Sequence, residues 1–577
     1  MHKDSFCFTD RARAVVVAVS TSLLLTVATA GPLAAAPALF DAPSAALAPA
    51  PDGAGSGGSA VLRQRLATPN LDRLVRPDGS PAAQTGQQID LNLFFDAHFT
   101  MTIGDVTPSG RGHTLSGTLL GVDLGAATLA VYDGALAGLV TMPQGVYRIG
   151  SDASGSLVVQ QIDQAALPPE GSPRLPPPSP FPGSLDSTVG AEIPDIAADT
   201  ASQIDVMVLY TPAARAAAGG VAAIQADISL AISLANGAYA NASLVQRLRA
   251  VYVNEIAITE HTGSSSFNND LDTITNSPTI ARLREFTRAD LVTLVAEHGP
   301  SSPFCGLGFL LTSNTTGFAP FAFNVVERIC ASGNLSYAHE NGHNMGAHHD
   351  PFVSVGEPTV FPYSHGFVDL VNKFRTIMAY NDQCAAIPGG CTRIQAFSSP
   401  LFTFNGHVVG TGAISDNART LSETANNVAN FRQALVSQPT ASTGVNKTSF
   451  AVNDSLVVSV ALQNLGRTGT ADIYFGLLAP DNSVAFFTDV VVTPSSGYAF
   501  GNFLNYASYH PIATGIPLAT PFSANIPSFV SYKWTGGEPR GGYALLLLVV
   551  TTGALNDGVL ASNELISASL TPFSFPP

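Results

Sequence analysis

His339-Glu340-Asn341-Gly342-His343-Asn344-Met345-Gly346-Ala347-His348-His349-Asp350 is the stretch around which the chain is organised. Two histidines four residues apart stand one turn apart on the same face of a helix, so both imidazoles reach one ion with Glu340 beside them. A catalytic zinc takes three protein ligands and keeps a fourth position for the reacting water. Gly346, three residues after His343, tolerates backbone conformations that are costly for other residues. The helix is therefore expected to end there, turn the chain back and deliver His349 as the third ligand. The plainer alternative is an accidental match in which the histidines are ordinary surface or core residues. Gly346 and His349, both in register, weigh against it.

The 577 residues exceed what one core supports, so two to four domains are expected. Charged residues make up 12% and hydrophobic ones 46%, with 52 Gly and 40 Pro, which favours strands, turns and linkers over a disordered chain. A formal charge of -16 without a run of Lys or Arg argues against nucleic acid as a partner.

Lys3, Arg11 and Arg13 precede an apolar run from Ala14 to Val27 and the small-residue site Ala28-Thr29-Ala30, so residues 1–30 read as a secretory signal. A membrane anchor is the alternative, but the run is short for one. No other stretch approaches eighteen apolar residues, so no membrane span is expected and the mature protein should be exported. Cys7 leaves with the signal. Cys305, Cys330, Cys384 and Cys391 remain, an even number that allows three connectivities. Pairing of neighbours, Cys305 with Cys330 and Cys384 with Cys391, is favoured. Zinc thiolates are the alternative, without a CxxC pair to support them.

Residues 31–165 divide in two. The part up to about residue 85 is rich in Ala, Pro and Gly and is expected to pack little. From residue 90 short alternating runs (114–120, 128–132, 136–142, 146–149 and 157–162) read as strands, with Asp133-Gly134 a hairpin turn. A Pro-rich linker, 166–202, follows and is expected to be extended and exposed. A β module placed between a signal and a zinc domain is positioned as a propeptide would be; a permanent accessory domain is the alternative. No cysteine lies between Cys7 and Cys305, so no thiolate can block the metal. A carboxylate, an imidazole such as His98 or His113, or simple steric cover must do so if latency exists.

Over 203–436 strands alternate with helices, as in an α/β domain. Strands are expected at 204–210, 248–256, 290–296, 306–311 and 321–326, and helices at 222–240, 279–286 and 415–435. The motif helix should start near Leu335, with Asn334 as its N-cap. Residues 437–577 are patterned as strands alone and suggest a β-sandwich with Trp534 in its core.

The pattern HExxHxxGxxH, followed by Thr376-Ile377-Met378-Ala379-Tyr380, whose Met378 lies 29 residues after His349, resembles the metzincin metallopeptidases, whose zinc motif is completed by a Met-turn. Asp350 directly after the third histidine resembles the reprolysin (adamalysin) branch. The region also resembles bacterial secreted relatives that include peptidyl-Asp metalloendopeptidases. Over 203–436 the resemblance implies an α/β metzincin catalytic domain with a twisted mixed sheet and a zinc helix, and the N-terminal β-rich module is similar to the prodomains of such enzymes; with the C-terminal, Ig-like β-sandwich read from the strand pattern, a multidomain protein is expected. It implies Zn2+ on His339, His343 and His349, Glu340 as general base, and Met378 beneath the ligands. Tyr380 matches the tyrosine of astacins and serralysins, for which a catalytic and a structural role both stay open. A peptide substrate is expected to lie along the edge strand at 306–311.

The function these readings imply is a secreted zinc endopeptidase, made as a zymogen and acting on proteins or peptides. A surface-binding or adhesive protein whose C-terminal sandwich is the active part is one alternative, and an amidase acting on non-peptide amides is another. The C-terminal domain is a candidate for binding a surface or substrate. Cleavage beside acidic residues is compatible with the resemblance.

Overall fold

Short apolar runs joined by tight turns pair with their sequence neighbours, and the strands between Gln88 and Ile162 do so. An eight-stranded antiparallel sheet has the order Val61–Leu66, Leu157–Ile162, Gly145–Ser151, Ala135–Met142, Ala126–Tyr132, Gly112–Leu119, Ala97–Ser109, Gln88–Phe94. Asp133 (φ 43°) and Gly134 (φ 82°) make the tight turn read from the sequence, with positive φ at both central positions. The computed structural model describes residues 36–42, 60–177, 198–299, 302–435, 439–488, 497–561 and 563–576. The signal reading over 1–30 and the middle of the linker lie outside them.

Part of the stretch expected to pack little is in fact core. Leu39, Phe40 and Leu74 are buried, and Val61–Leu66 pairs along Leu157–Ile162. The alternation there is masked because its inward residue is an arginine. Arg65 satisfies its guanidinium on the carbonyls of Leu93 and Asn92, which an apolar pattern does not reveal.

Next comes a five-stranded sheet in the order Arg247–Glu255, Gln203–Tyr210, Leu291–Ala296, Phe323–Glu327, Gly306–Gly308. The first four run parallel and the last antiparallel, so Gly306–Gly308 is an edge strand of opposite direction. Its helices are α1 (Pro212–Ala217), α2 (Val221–Asn241), α3 (Ser266–Thr275), α4 (Pro278–Thr287), α5 (Arg328–Gly333), α6 (Ser336–Asn344) and α7 (Asn417–Val428). Thr211-Pro212 follows strand Gln203–Tyr210 directly and starts α1, with the Thr211 hydroxyl accepting from the Ala214 amide.

Among the described residues α2 is long and apolar enough to cross a membrane, which the sequence reading did not anticipate. Two sheets account for its composition. One side packs on the five-stranded sheet and the other on strands Ala126–Tyr132 and Ala135–Met142, so the helix has no wet face to fill with charge. Asp227 on α2 is paired with Arg148 of the eight-stranded sheet and with Arg328 of α5, each at 3.3 Å.

Beyond residue 439 two antiparallel sheets, one of three strands and one of six, enclose a cluster containing Phe450, Leu456, Phe475, Trp534, Leu547 and Phe575. Trp534 is buried and stacks on Phe575 with 4.4 Å between ring centres, so it is a core residue. Strands Gly541–Thr551 and Leu565–Phe575 lie against Arg247–Glu255, where the Asn254 amide donates to the Tyr543 carbonyl at 2.9 Å. Two disulfides, Cys305–Cys330 and Cys384–Cys391, follow the favoured neighbour pairing.

Candidate metal centre and cleft

Helix α6 holds His339 and His343 one turn apart, and its last turn closes at Asn344. Gly346 then adopts φ 93°, and a Cβ there would lie 2.7 Å from Val360 Cγ1. The sharp turn foreseen at Gly346 is therefore present. The start of the helix differs from expectation. Ser336 is the first helical residue, Leu335 before it has φ 57°, and no side chain caps the end. Asn334 instead closes α5 and turns its amide toward Glu170, where it donates at 3.0 Å.

The Nε2 atoms of His339, His343 and His349 stand 2.9 to 3.2 Å from one another. Nitrogens bound tetrahedrally at 2.0–2.1 Å sit roughly 3.3 Å apart, so the three imidazoles converge as the ligands of one small ion would. Their other nitrogens are engaged or turned away. His339 Nδ1 faces the Ile377 carbonyl at 2.9 Å and His343 Nδ1 faces the Ala347 carbonyl at 2.8 Å, which directs Nε2 inward. Burial first, and then neighbouring imidazoles, push the pKa of all three well below the usual histidine value, so they are held neutral, the form that can bind a metal.

Glu340 is fully buried, and neither carboxylate oxygen has a hydrogen-bond partner within the protein. Burial, with the charge of Glu170 second, raises its pKa well above the ordinary carboxylate range. The carboxylate lies under the edge strand. A Cβ on Gly308 would fall 3.1 Å from Glu340 Oε2, and Gly306 is closer still. Met378 is buried beneath the helix, and a Cβ on Gly342 would be 2.8 Å from its sulfur, so that glycine permits the close contact. Asp350 accepts from the Tyr380 amide at 3.0 Å and from Gln383 at 2.9 Å, tying the third-histidine turn to the chain after Met378. His348 and His365 lie outside the cluster. His348 Nδ1 accepts from the His349 amide at 2.7 Å, and His365 faces the His349 carbonyl at 2.9 Å.

Three features escaped the sequence reading. Asn344 fastens α6 to the sheet by donating to the Phe309 carbonyl at 2.8 Å and the Phe323 carbonyl at 3.2 Å. Gly306 and Gly308 are needed for close approach to Glu340, and only their place in a strand, where glycine is unusual, could have pointed to them. The third is the linker. Its start is extended as expected and largely exposed, as at Pro169, Ser172 and Leu175, but Glu170 and Gly171 are buried where it crosses the cleft. Gly171 and Arg174 donate their amides to the Gly306 and Gly308 carbonyls at 2.8 and 2.9 Å, and the Leu310 amide donates to Arg174 at 2.8 Å. The segment thus runs parallel to the edge strand, as an added strand. The Tyr380 hydroxyl donates to the Glu170 carbonyl at 2.7 Å, and the tyrosine ring centre is 4.1 Å from that of His349.

A family model described as metallo-peptidase family M12, of the reprolysin kind, matches residues 200–398, which contain the whole cluster. A peptidyl-Asp metalloendopeptidase of Xanthomonas campestris pv. campestris is 30% identical over 371 residues, spanning 62% of this chain and 80% of that protein. One from Stenotrophomonas maltophilia strain R551-3 is 31% identical over 288 residues, 48% of this chain and 63% of its own length. One from Pseudomonas aeruginosa is 33% identical over 214 residues, 34% of this chain and 35% of its own. With four-fifths of a relative spanned at 30% identity and the family match lying across the histidine cluster, the chain belongs to the reprolysin-like bacterial metallopeptidases of family M12 and is a metalloendopeptidase.

Proposed function

We propose that the protein is a secreted zinc endopeptidase that cleaves peptide bonds beside acidic residues, with His339, His343 and His349 as metal ligands and Glu340 as general base. The observation that carries this reading is the pairing of three converging neutral imidazoles with an unpartnered buried carboxylate under a sheet edge that already holds an extended peptide. The donor set suits zinc: three imidazole nitrogens and no thiolate. When bound there, zinc would supply Lewis acidity toward the scissile carbonyl and lower the pKa of water.

The chain's own residues supply the rest. The edge strand binds the substrate backbone by main-chain hydrogen bonds. Glu340, with no competing partner, takes the proton of the attacking water and returns it to the leaving amine. Tyr380, which donates to a peptide carbonyl lying in the cleft, is suited to stabilise the oxygen that gains charge. That geometry favours the catalytic reading of the tyrosine over the structural one. The acidic preference is carried over from the printed name of the relatives.

In this reading residues 1–30 direct export, 31–165 are a propeptide module, 166–202 a linker, 203–436 the peptidase domain and 437–577 an Ig-like β-sandwich. The test is Glu340→Gln. The variant should bind one equivalent of zinc and lose proteolysis by about 10³-fold or more. Undiminished proteolysis would overturn the mechanism.

A further inference from the structure

The cleft contains a second built polar site beside the histidine cluster. The Glu170 side chain turns inward and is fully buried. Its Oε1 accepts from Ser336 Oγ at 2.8 Å, from Asn334 Nδ2 at 3.0 Å and from Arg393 Nη1. Three donors from three places in the fold, the first turn of α6, the end of α5 and the short strand Thr392–Arg393, thus converge on one oxygen.

Arg393 does not depend on Glu170 for its orientation. Its Nη1 also donates to the Asn334 carbonyl at 2.8 Å and its Nη2 to the Ala379 carbonyl at 3.3 Å. Thr392–Arg393 pairs with Phe374–Arg375 just before the Met-turn. The guanidinium is therefore aimed by groups that remain when residues 169–174 leave. With Glu170 gone, the hydrogen bonds of this buried guanidinium go to carbonyls alone, and the partner its planar fork fits best is a carboxylate. Glu170 fills that role incompletely: its Oε2 and Arg393 Nε both lack partners. An acidic side chain arriving on a differently directed peptide has a second bond to gain there. The same residue that puts its side chain in this site presents its carbonyl to Tyr380, so the site is one residue's reach from the reacting groups.

We propose that Arg393, Asn334 and Ser336 form a carboxylate subsite that selects an acidic side chain of the substrate next to the reacting bond, and that Glu170 occupies it in the intact chain. The proposal rests on the peptidase reading above. It makes Arg393 the specificity residue and the segment around Glu170 a self-occupant of the cleft.

The test uses the zinc-loaded full chain and quenched peptides that differ only by Asp or Asn at one position. Glu170→Ala should raise kcat/KM on the Asp peptide by about tenfold or more over the intact chain. In that background the Asp-over-Asn ratio should be about 100 or more, a discrimination that buried polar partners support. The added change Arg393→Gln should bring the ratio within a few-fold of one, with Arg393→Lys intermediate. A ratio near one in Glu170→Ala itself would overturn the subsite.

A second measurement does not depend on the folding of an Arg393 variant. A synthetic peptide of residues 167–175 should inhibit Glu170→Ala, and the same peptide with Gln for Glu170 should inhibit about thirtyfold more weakly. Equal inhibition would overturn the proposal. Amide exchange of Gly171 and Arg174 should be slow in the intact chain and fast in Glu170→Ala, a readout independent of turnover; unchanged protection would overturn the self-occupancy. Glu340→Gln separates the two readings. If it cleaves as fast as its parent the peptidase mechanism fails, whereas a lost Asp preference with a dead Glu340→Gln removes the subsite alone.

Discussion

A Cβ on Gly306 would lie 2.5 Å from Oε1 of Glu340, so the edge strand passes over the carboxylate only because residue 306 has no side chain. Gly306→Ala must displace either the strand or the glutamate. Displacing a reacting group by about 1 Å costs on the order of 10²-fold in rate. Steady-state kinetics should therefore show kcat/KM down about 100-fold while zinc content stays at one equivalent. A fall below threefold would mean that the strand yields instead.

Three imidazole nitrogens held 2.9 to 3.2 Å apart, each neutral and each presenting a lone pair to the others, are favourable only around a cation. Removing the metal with a chelator should abolish activity and lower the melting temperature, and zinc should restore both. At a free concentration a hundred times Kd the ion adds about 2.7 kcal/mol. Calorimetry with and without zinc checks this; coincident melting curves would contradict a filled site.

Arg148 and Asp227 join the eight-stranded sheet to α2 with side chains about 7% exposed. Arg148→Ala leaves Asp227 with Arg328 alone and should destabilise the chain by about 3 kcal/mol, the usual scale for breaking a buried pair. Urea unfolding measures it. A loss below 1 kcal/mol would mean that this pair does not hold the two modules together.

His298 sits between Asp270 Oδ2 at 2.8 Å and Glu327 Oε2 at 3.1 Å, with His261 on the other oxygen of Asp270 and Glu297 nearby. Burial lowers its pKa, but the two carboxylates outweigh this and raise it to about 9. The folded value lies above the unfolded one of about 6.5, so the stabilisation is complete below pH 6.5 and lost as pH rises through 9. Denaturant midpoints should fall between pH 6.5 and 9.5 and do so less steeply in His298→Gln. Parallel slopes would rule out His298 as the source.

Much of the site was legible because local chemistry dictates it. Helical spacing puts His339 and His343 on one face, Gly346 has to turn the chain, and His349 follows. Arg393 and Glu170 were not legible. They are separated by 223 residues, and a glutamate in a proline-rich run has every local mark of an exposed linker. Its burial is decided by a guanidinium whose own place depends on the strand after Cys391. Val61–Leu66 was hidden for a related reason: the inward Arg65 is satisfied by carbonyls of a strand far along the chain. Long-range polar pairing breaks the apolar rhythm on which pattern reading depends.

The position of residues 169–174 bears on how the cleft is cleared. Ile162 ends the last strand of the eight-stranded sheet, and the few residues after it lead directly to Pro169. A cut downstream of residue 177 leaves the occupying segment leashed to a module that Arg148 and a shared apolar core clamp to α2. On so short a leash its local concentration is in the millimolar range, and rebinding outruns most competitors. Severing the leash upstream, between the sheet and Pro169, turns a resident into a dilute peptide, so the side on which the chain is cut matters more than the fact of cutting.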